Sequence, residues 1–310
     1  MDTTTKRKSV EYNGMELVAA LMLKYNDFNN FSELNERIAS MVKDKTTYES
    51  VIIFNCTGDL EKYADDIDSK QAIASKFIVN LKESLNNFPI FVPENIKFVY
   101  ISGKINKHQK IQALNANVNK LEAKSDIYVE FNDGTIVGFS IKQSKCATKT
   151  NYSVQKILGA EEDKMLTDIK KQYLKNNGIT SFNKLEREKV NKLFYFQNKE
   201  NEYWIELKKM IETHKMKITS LLVQSLFCSN VVYDVYEFNG EEIVKLNETI
   251  DIADVSFDEH LPYYYCKMGR ERETAKLFYR LSIGKKNFRV EIRWKGNIYN
   301  ASPQFQLHEE

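Results

Sequence analysis

Two stretches of alternating polarity, joined by a tight-turn tripeptide, constrain this chain more than any other part of it. Residues 125–145 read SDIYVEFNDGTIVGFSIKQSK. Ile127, Val129 and Phe131 alternate with Asp126, Tyr128 and Glu130, and Val137, Phe139 and Ile141 alternate with Ile136, Gly138, Ser140 and Lys142. That period of two belongs to a β-strand, whose successive side chains point to opposite faces. Between the strands, Asn132-Asp133-Gly134 tolerates the positive φ of a tight turn, so the spacing predicts an antiparallel hairpin. With Phe131 paired to Thr135, the register places Asp126 opposite Ser140, and Lys142 two residues further along the same face. Opposed side chains hold their Cβ atoms ~5 Å apart, close enough for Asp126, Ser140 and Lys142 to act on one small group. Glu130 shares that face but lies ~13 Å along the strand, too far to ligate the same ion.

The rest of the chain frames the hairpin within an α/β fold. Met15, Val18, Ala19 and Met22 recur at helical spacing within Tyr12–Tyr25, and Ser32–Val42 reads as a second amphipathic helix with Ser32 as its N-cap. Val51–Phe54 and Ile96–Ile101 have strand character, with a helix expected between them over Ser69–Leu85. Beyond the hairpin, charged helices are expected over Ala160–Lys175, Ser181–Phe196 and Glu200–Lys215. Leu222–Phe227 and Val231–Phe238 read as strand-like or buried, and residues 276–299 as another hairpin. The expected architecture is a mixed central β-sheet flanked by helices, one domain over 1–310, with 160–215 a helical insertion.

Composition removes several classes. The 310 residues, 42% hydrophobic and 28% charged, are those of an ordinary globular protein. No apolar run approaches the ~18 residues that span a bilayer. Near the N-terminus Glu16 and Lys24 bracket only seven uncharged residues, and no small-residue cleavage site follows, so a cytoplasmic protein is expected. Cys56, Cys146, Cys228 and Cys266 lack metal-ligand spacing and read as reduced thiols. The four histidines are scattered, which argues against a histidine-held metal. A net charge of +2 means that any nucleic-acid binding comes from local clusters.

Hydrolysis of a phosphodiester needs a hard cation, carboxylates that hold it, and a group that orients or activates the attacking water. The hairpin residues resemble the PD-(D/E)xK nucleases, in which an Asp at the start of one strand is followed by acid-x-Lys on its neighbour. Ser125-Asp126 corresponds to the first half and Ser140-Ile141-Lys142 to the second, with 14 residues from Asp126 to Ser140. Two positions depart from the pattern: Ser125 replaces the proline and Ser140 the second acid. The loss of that acid implies that another carboxylate has migrated in, or that metal affinity leans on the substrate phosphate. The superfamily often takes a further acid from an N-terminal helix with a Gly-x-x-Glu-like pattern, and Asn13-Gly14-Met15-Glu16 is similar, which makes Glu16 a candidate ligand.

The run QSKCATKTNYSVQK after Lys142 is similar to type II restriction endonucleases in particular. The resemblance implies a Mg²⁺-dependent enzyme that cuts double-stranded DNA at a specific sequence, leaves 5′-phosphate ends, acts as a homodimer and needs no organic cofactor. Asp126 and Glu16 would hold the metal, and Ser140 and Lys142 would act in catalysis. Gln143, Ser144, Lys145, Lys149 and Asn151 form a polar, basic stretch suited to DNA contact. Glu291, Arg293 and Lys295 share one face of a strand, and Arg293 and Lys295 are further DNA-binding candidates. Residues 160–215 would embrace DNA or form a subunit contact. Two other functions use the same residues: a repair or junction nuclease of the same superfamily, and a non-catalytic DNA-binding protein. The structural alternative is a surface hairpin whose polar side chains merely face water.

Overall fold

A computed structural model describes residues 13–43, 50–53, 59–101, 108–118, 125–144, 147–181, 186–261 and 273–310. The contacts gather into two compact units, Met1–Lys145 with Asn230–Asn247, and Cys146–Ser229 with Glu248–Glu310. Both combine helices with a sheet, and the first sheet mixes parallel and antiparallel strands, as the α/β reading requires. Among the described residues no helix is long and apolar enough to cross a membrane.

The first unit holds helices α1 (Gly14–Lys24), α2 (Phe31–Lys43), α3 (Asp59–Asp68), α4 (Gln71–Asn86) and α5 (Gln109–Leu114). Its strands are β1 (Val51–Ile53), β2 (Ile96–Ile101), β3 (Ile127–Phe131), β4 (Ile136–Ile141), β6 (Val235–Phe238) and β7 (Ile243–Lys245), in the order β1-β2-β3-β4-β6-β7. The β3–β4 pair is the hairpin expected from the sequence, in the expected register: Phe131 N–H donates to Thr135 O at 2.9 Å, and Ile127 faces Phe139. Gly134 at the turn has φ +88°, a conformation that costs glycine little. One sheet face is apolar, with Val99, Ile127, Val129, Val137, Phe139 and Phe238 sharing a core with α1–α4. Helix α1 is buried on almost every side, leaving only Glu16 and Lys24 outside its buried set, as suits a helix apolar all round. At α2 the cap differs from expectation: Asn30 Oδ1 accepts the Glu33 N–H at 3.0 Å, so the helix starts before Ser32.

The second unit contains β5 (Thr148–Ser153), β8 (Val255–Glu259), β9 (Lys276–Ile283), β10 (Lys286–Trp294) and β11 (Pro303–Glu309), an antiparallel sheet in the order β5-β11-β10-β9-β8. It also contains α6 (Val154–Ile157), α7 (Ala160–Asn176), α8 (Arg187–Leu193), α9 (Glu202–Thr213) and α10 (Lys215–Phe227). Residues 222–227, read from the sequence as strand-like or buried, are the buried end of α10. Strand periodicity and helix periodicity are not separable over so short an apolar run. Phe194, Tyr203, Trp204 and Trp294 pack their rings within 5.3–6.2 Å of one another.

Lys170 of α7 enters this aromatic cluster. Its Nζ lies 5.1 Å from the Trp294 ring centre and donates to Ala301 O at 2.6 Å. Burial lowers its pKa to about 8. A lysine whose folded pKa lies below its unfolded value near 10.4 weakens the fold when protonated, and stability returns as pH rises from about 8 through that value. We expect the unfolding free energy of the parent, relative to Lys170→Met, to rise by up to about 3 kcal/mol across that window. Urea unfolding at closely spaced pH values checks this, and a pH-independent difference would contradict it.

Candidate functional site

Continuing the hairpin register one residue past Ile127 and Phe139 sets Asp126 opposite Ser140. Ser140 Oγ donates to Asp126 Oδ2 over a long 3.3 Å, and the Ile141 N–H donates to the same oxygen at 2.9 Å. The Asp126 N–H donates to Phe139 O at 3.0 Å, so backbone and side chain both tie this residue to β4. Lys142 follows directly, its N–H donating to Phe238 O at 2.8 Å. The structure therefore brings Asp126, Ser140 and Lys142 together at one end of the hairpin. Glu130, as expected, serves elsewhere: Lys110 Nζ lies 2.9 Å from its carboxylate, and the Tyr100 hydroxyl donates to it.

The opposite edge of β4 supplies a residue that sequence reading missed. Strand β6 runs parallel to β4, with Ser140 facing Glu237. Paired residues of parallel strands project to the same face, so the register places Asp126 and Glu237 on one face, on either side of the small Ser140. Glu237 is only 3% exposed. A faint signal exists in the sequence, since Glu237 interrupts an otherwise apolar strand, VYEF. Nothing local, however, indicates that this strand pairs with β4.

Electrostatics distinguish Asp126 from the other buried acids. Tyr100 and Lys110 hold the Glu130 carboxyl below its ordinary pKa against the opposing effect of burial, and Lys276 and Arg289 do the same for Glu291. At Asp126 burial wins and pushes the pKa up, although part of the residue stays accessible. Lys142 and the hydrogen bonds from Ile141 and Ser140 oppose the shift, and the Glu237 charge adds to it. Two acids on one face on either side of a serine, the charge of one raising the pKa of the other, form a place where a cation would be stabilised. Carboxylate and hydroxyl oxygens are donors for a hard ion such as Mg²⁺, and neither imidazole nor thiolate is in this set.

The remaining candidates are spread over both units. Glu16 lies in the first turn of α1, whose apolar side chains pack in the core on the face opposite Ser140. Among the described residues no group of three His, Cys, Asp or Glu side chains is placed to hold a metal. Gln143 and Ser144 are exposed just beyond β4. They pass close to Gly240, where φ is +95° and an added Cβ would sit 2.7 Å from Gln143 O, so only glycine fits there. Lys145 lies outside the described residues. Lys149 departs from the expected DNA-facing role: it sits on β5, is 9% exposed, and has its ammonium 3.2 Å from Glu309. Buried ion pairing removes it from the groups presented to a phosphate. Asn151 is exposed on β5, Arg293 is partly exposed on β10, and Lys295 is exposed just past β10.

Comparison with protein-family models, curated proteins and solved structures finds no match to this chain.

The raised pKa of Asp126 has a testable sign. A carboxyl with a folded pKa above its unfolded value near 3.9 contributes stability below that value, and the contribution is lost as pH rises through the folded pKa. Without divalent cations, Asp126→Asn is expected to be more thermostable than the parent at neutral pH, with the gain shrinking as the solution is acidified toward pH 4. Scanning calorimetry in EDTA from pH 4 to 8 measures the gap, and a gap that widens on acidification would contradict the assignment.

Proposed function

We propose that this chain is a Mg²⁺-dependent nuclease of the PD-(D/E)xK type, a sequence-specific endonuclease that cuts double-stranded DNA as restriction enzymes do. The observation that carries the reading is the convergence of Asp126, Ser140 and Lys142 at one hairpin end, with Glu237 facing Ser140 from the other side. Ser140 stands where the pattern has its second acid, and Glu237, one strand away, is the carboxylate that takes that place. Asp126 and Glu237 would hold the cation. Bound Mg²⁺ supplies Lewis-acid stabilisation of charge developing on the phosphate.

The side chains of the site divide the remaining work. Ile141 N–H and Ser140 Oγ orient the Asp126 carboxylate, so Ser140 acts through Asp126 and serves as a positioning residue. Lys142 offsets the two carboxylates and places a positive charge beside the scissile phosphate, where it orients the attacking water and stabilises the oxygen charge that builds up. Hydrolysis would leave a 5′-phosphate and a 3′-hydroxyl. A palindromic site cut in both strands calls for a two-fold homodimer, which belongs to the same proposal.

Incubating the purified chain with plasmid and mixed-sequence duplex DNA, with Mg²⁺ or with EDTA, tests the reading directly, and sequencing the ends gives the site. Asp126→Ala and Lys142→Ala are expected to abolish cleavage, while Asp126→Ala keeps duplex binding within about tenfold, ~1.4 kcal/mol. Glu237→Gln should raise the Mg²⁺ concentration needed for cleavage by an order of magnitude or more, since one of two hard anionic ligands is lost. Full activity in a folded Asp126→Ala protein would remove the nuclease assignment, and an unchanged Mg²⁺ requirement in Glu237→Gln would remove Glu237 from the metal site.

A further inference from the structure

The two faces of the second unit's sheet differ over β5, β11 and β10, while on β9 the buried Phe278, packed against Phe196, shares the face of Glu291. Phe288, Val290, Ile292 and Trp294 of β10 are buried on one face with Phe305 and Leu307 of β11. Strand alternation puts Arg289, Glu291 and Arg293 of β10 on the other, and the register adds the residues opposite them. Gln304 faces Arg293, Gln306 faces Glu291, and Asn151 of β5 faces Gln306. The outer two-stranded ribbon β5–β11 thus carries three amides, and the cations stand one strand further in.

Glu291 organises those cations. It is 4% exposed, and its carboxylate lies 2.7 Å from Lys276 Nζ, 3.0 Å from Arg289 Nε and 4.0 Å from Arg293 Nη1. Three cations against one carboxylate leave this cluster with a net charge of +2. Arg293 keeps 42% of its side-chain surface accessible, and Asn151 is exposed. A buried anion at the centre of a basic patch holds long side chains in fixed positions, which reduces the entropy they lose when a ligand binds.

We propose that this face reads duplex DNA, with Asn151 and Gln306 meeting base edges and Arg289 and Arg293 contacting phosphates. The proposal rests on the nuclease reading and extends it to a division of labour between the units: hydrolysis in the first, recognition in the second. Dimensions and chemistry agree with this occupant. Two strands ~4.8 Å apart fit a major groove ~12 Å wide. The two-residue repeat of a strand, ~6.8 Å, spans two base-pair steps of ~3.4 Å. A carboxamide offers a donor and an acceptor side by side, the pattern that pairs with an adenine edge, while the net positive charge matches the phosphate backbone.

The full-length chain carrying Asp126→Asn, which prevents cutting, is titrated by fluorescence anisotropy against the parent's cleavage-site duplex, single-base-pair variants of it, and single-stranded RNA, at several salt concentrations. Gln306→Ala is expected to relax discrimination at one base pair by about 5- to 150-fold while leaving the salt slope intact. Arg293→Ala should weaken binding to all duplexes alike and flatten the slope by about one unit. Thermal melting verifies that each variant folds. If the parent cuts at one sequence and both folded variants keep its preference and slope, this surface assignment falls and the nuclease reading stands. If the parent neither binds nor cuts duplex DNA, both fall. A preference for single-stranded RNA that depends on Gln306 and Arg293 would overturn the choice of partner.

Discussion

The pairing of β4 on both of its edges is the constraint on which the rest of the first unit depends. On one side it runs antiparallel to β3, on the other parallel to β6. Its residues alternate between an apolar core face and a face that carries Ser140, so a slip by one position would carry Phe139 out of the core and set the Ser140 hydroxyl among apolar side chains in its place. The register that buries Val137, Phe139 and Ile141 is therefore the register that sets Asp126 and Glu237 on either side of Ser140. Core packing and site geometry are specified by the same strand.

Buried acids show how local partners decide between structure and chemistry. Glu130 and Glu291 each meet a lysine within 3 Å, together with Tyr100 in one case and Arg289 in the other, and both stay readily ionised. These are closed arrangements in which the charge is neutralised within the fold. Asp126 receives hydrogen bonds and the field of Lys142, yet burial and Glu237 leave its ionised form disfavoured. Burial that outweighs the contacts of a carboxylate is costly to a fold, and such groups cluster at functional sites. That contrast sets the hairpin end apart from the Glu291 strand. The Glu291 strand shares the acid-x-basic spacing but has its acid enclosed by cations.

The second unit turns residues that look alike in sequence to different uses. Lys149 and Arg293 both read as basic groups available to DNA. One is enclosed by the fold and paired with Glu309, and the other projects from a strand face with much of its surface accessible. Lys170, on a helix in which eight of 17 residues are charged, is drawn into an aromatic cluster. Charge in a sequence reports the presence of an ionic group, while its solvation depends on which strands and helices close over it.

The sequence by itself determined the hairpin, its turn and its register, and through them the meeting of Asp126, Ser140 and Lys142. Alternation and turn chemistry act over a few residues, so their consequences are legible without the fold. The mixed sheet with flanking helices was legible for the same reason, in the spacing of its strands and helices. Only the tertiary structure decided that β6 lies beside β4 and that Glu237, 97 residues after Ser140, is paired with it. A parallel pairing between distant segments leaves no local trace, because its hydrogen bonds join backbones and its register is set by burial of the whole sheet. The same holds for Lys149 and for the face that gathers Asn151, Gln304, Gln306 and Arg293, where strands far apart in the chain meet.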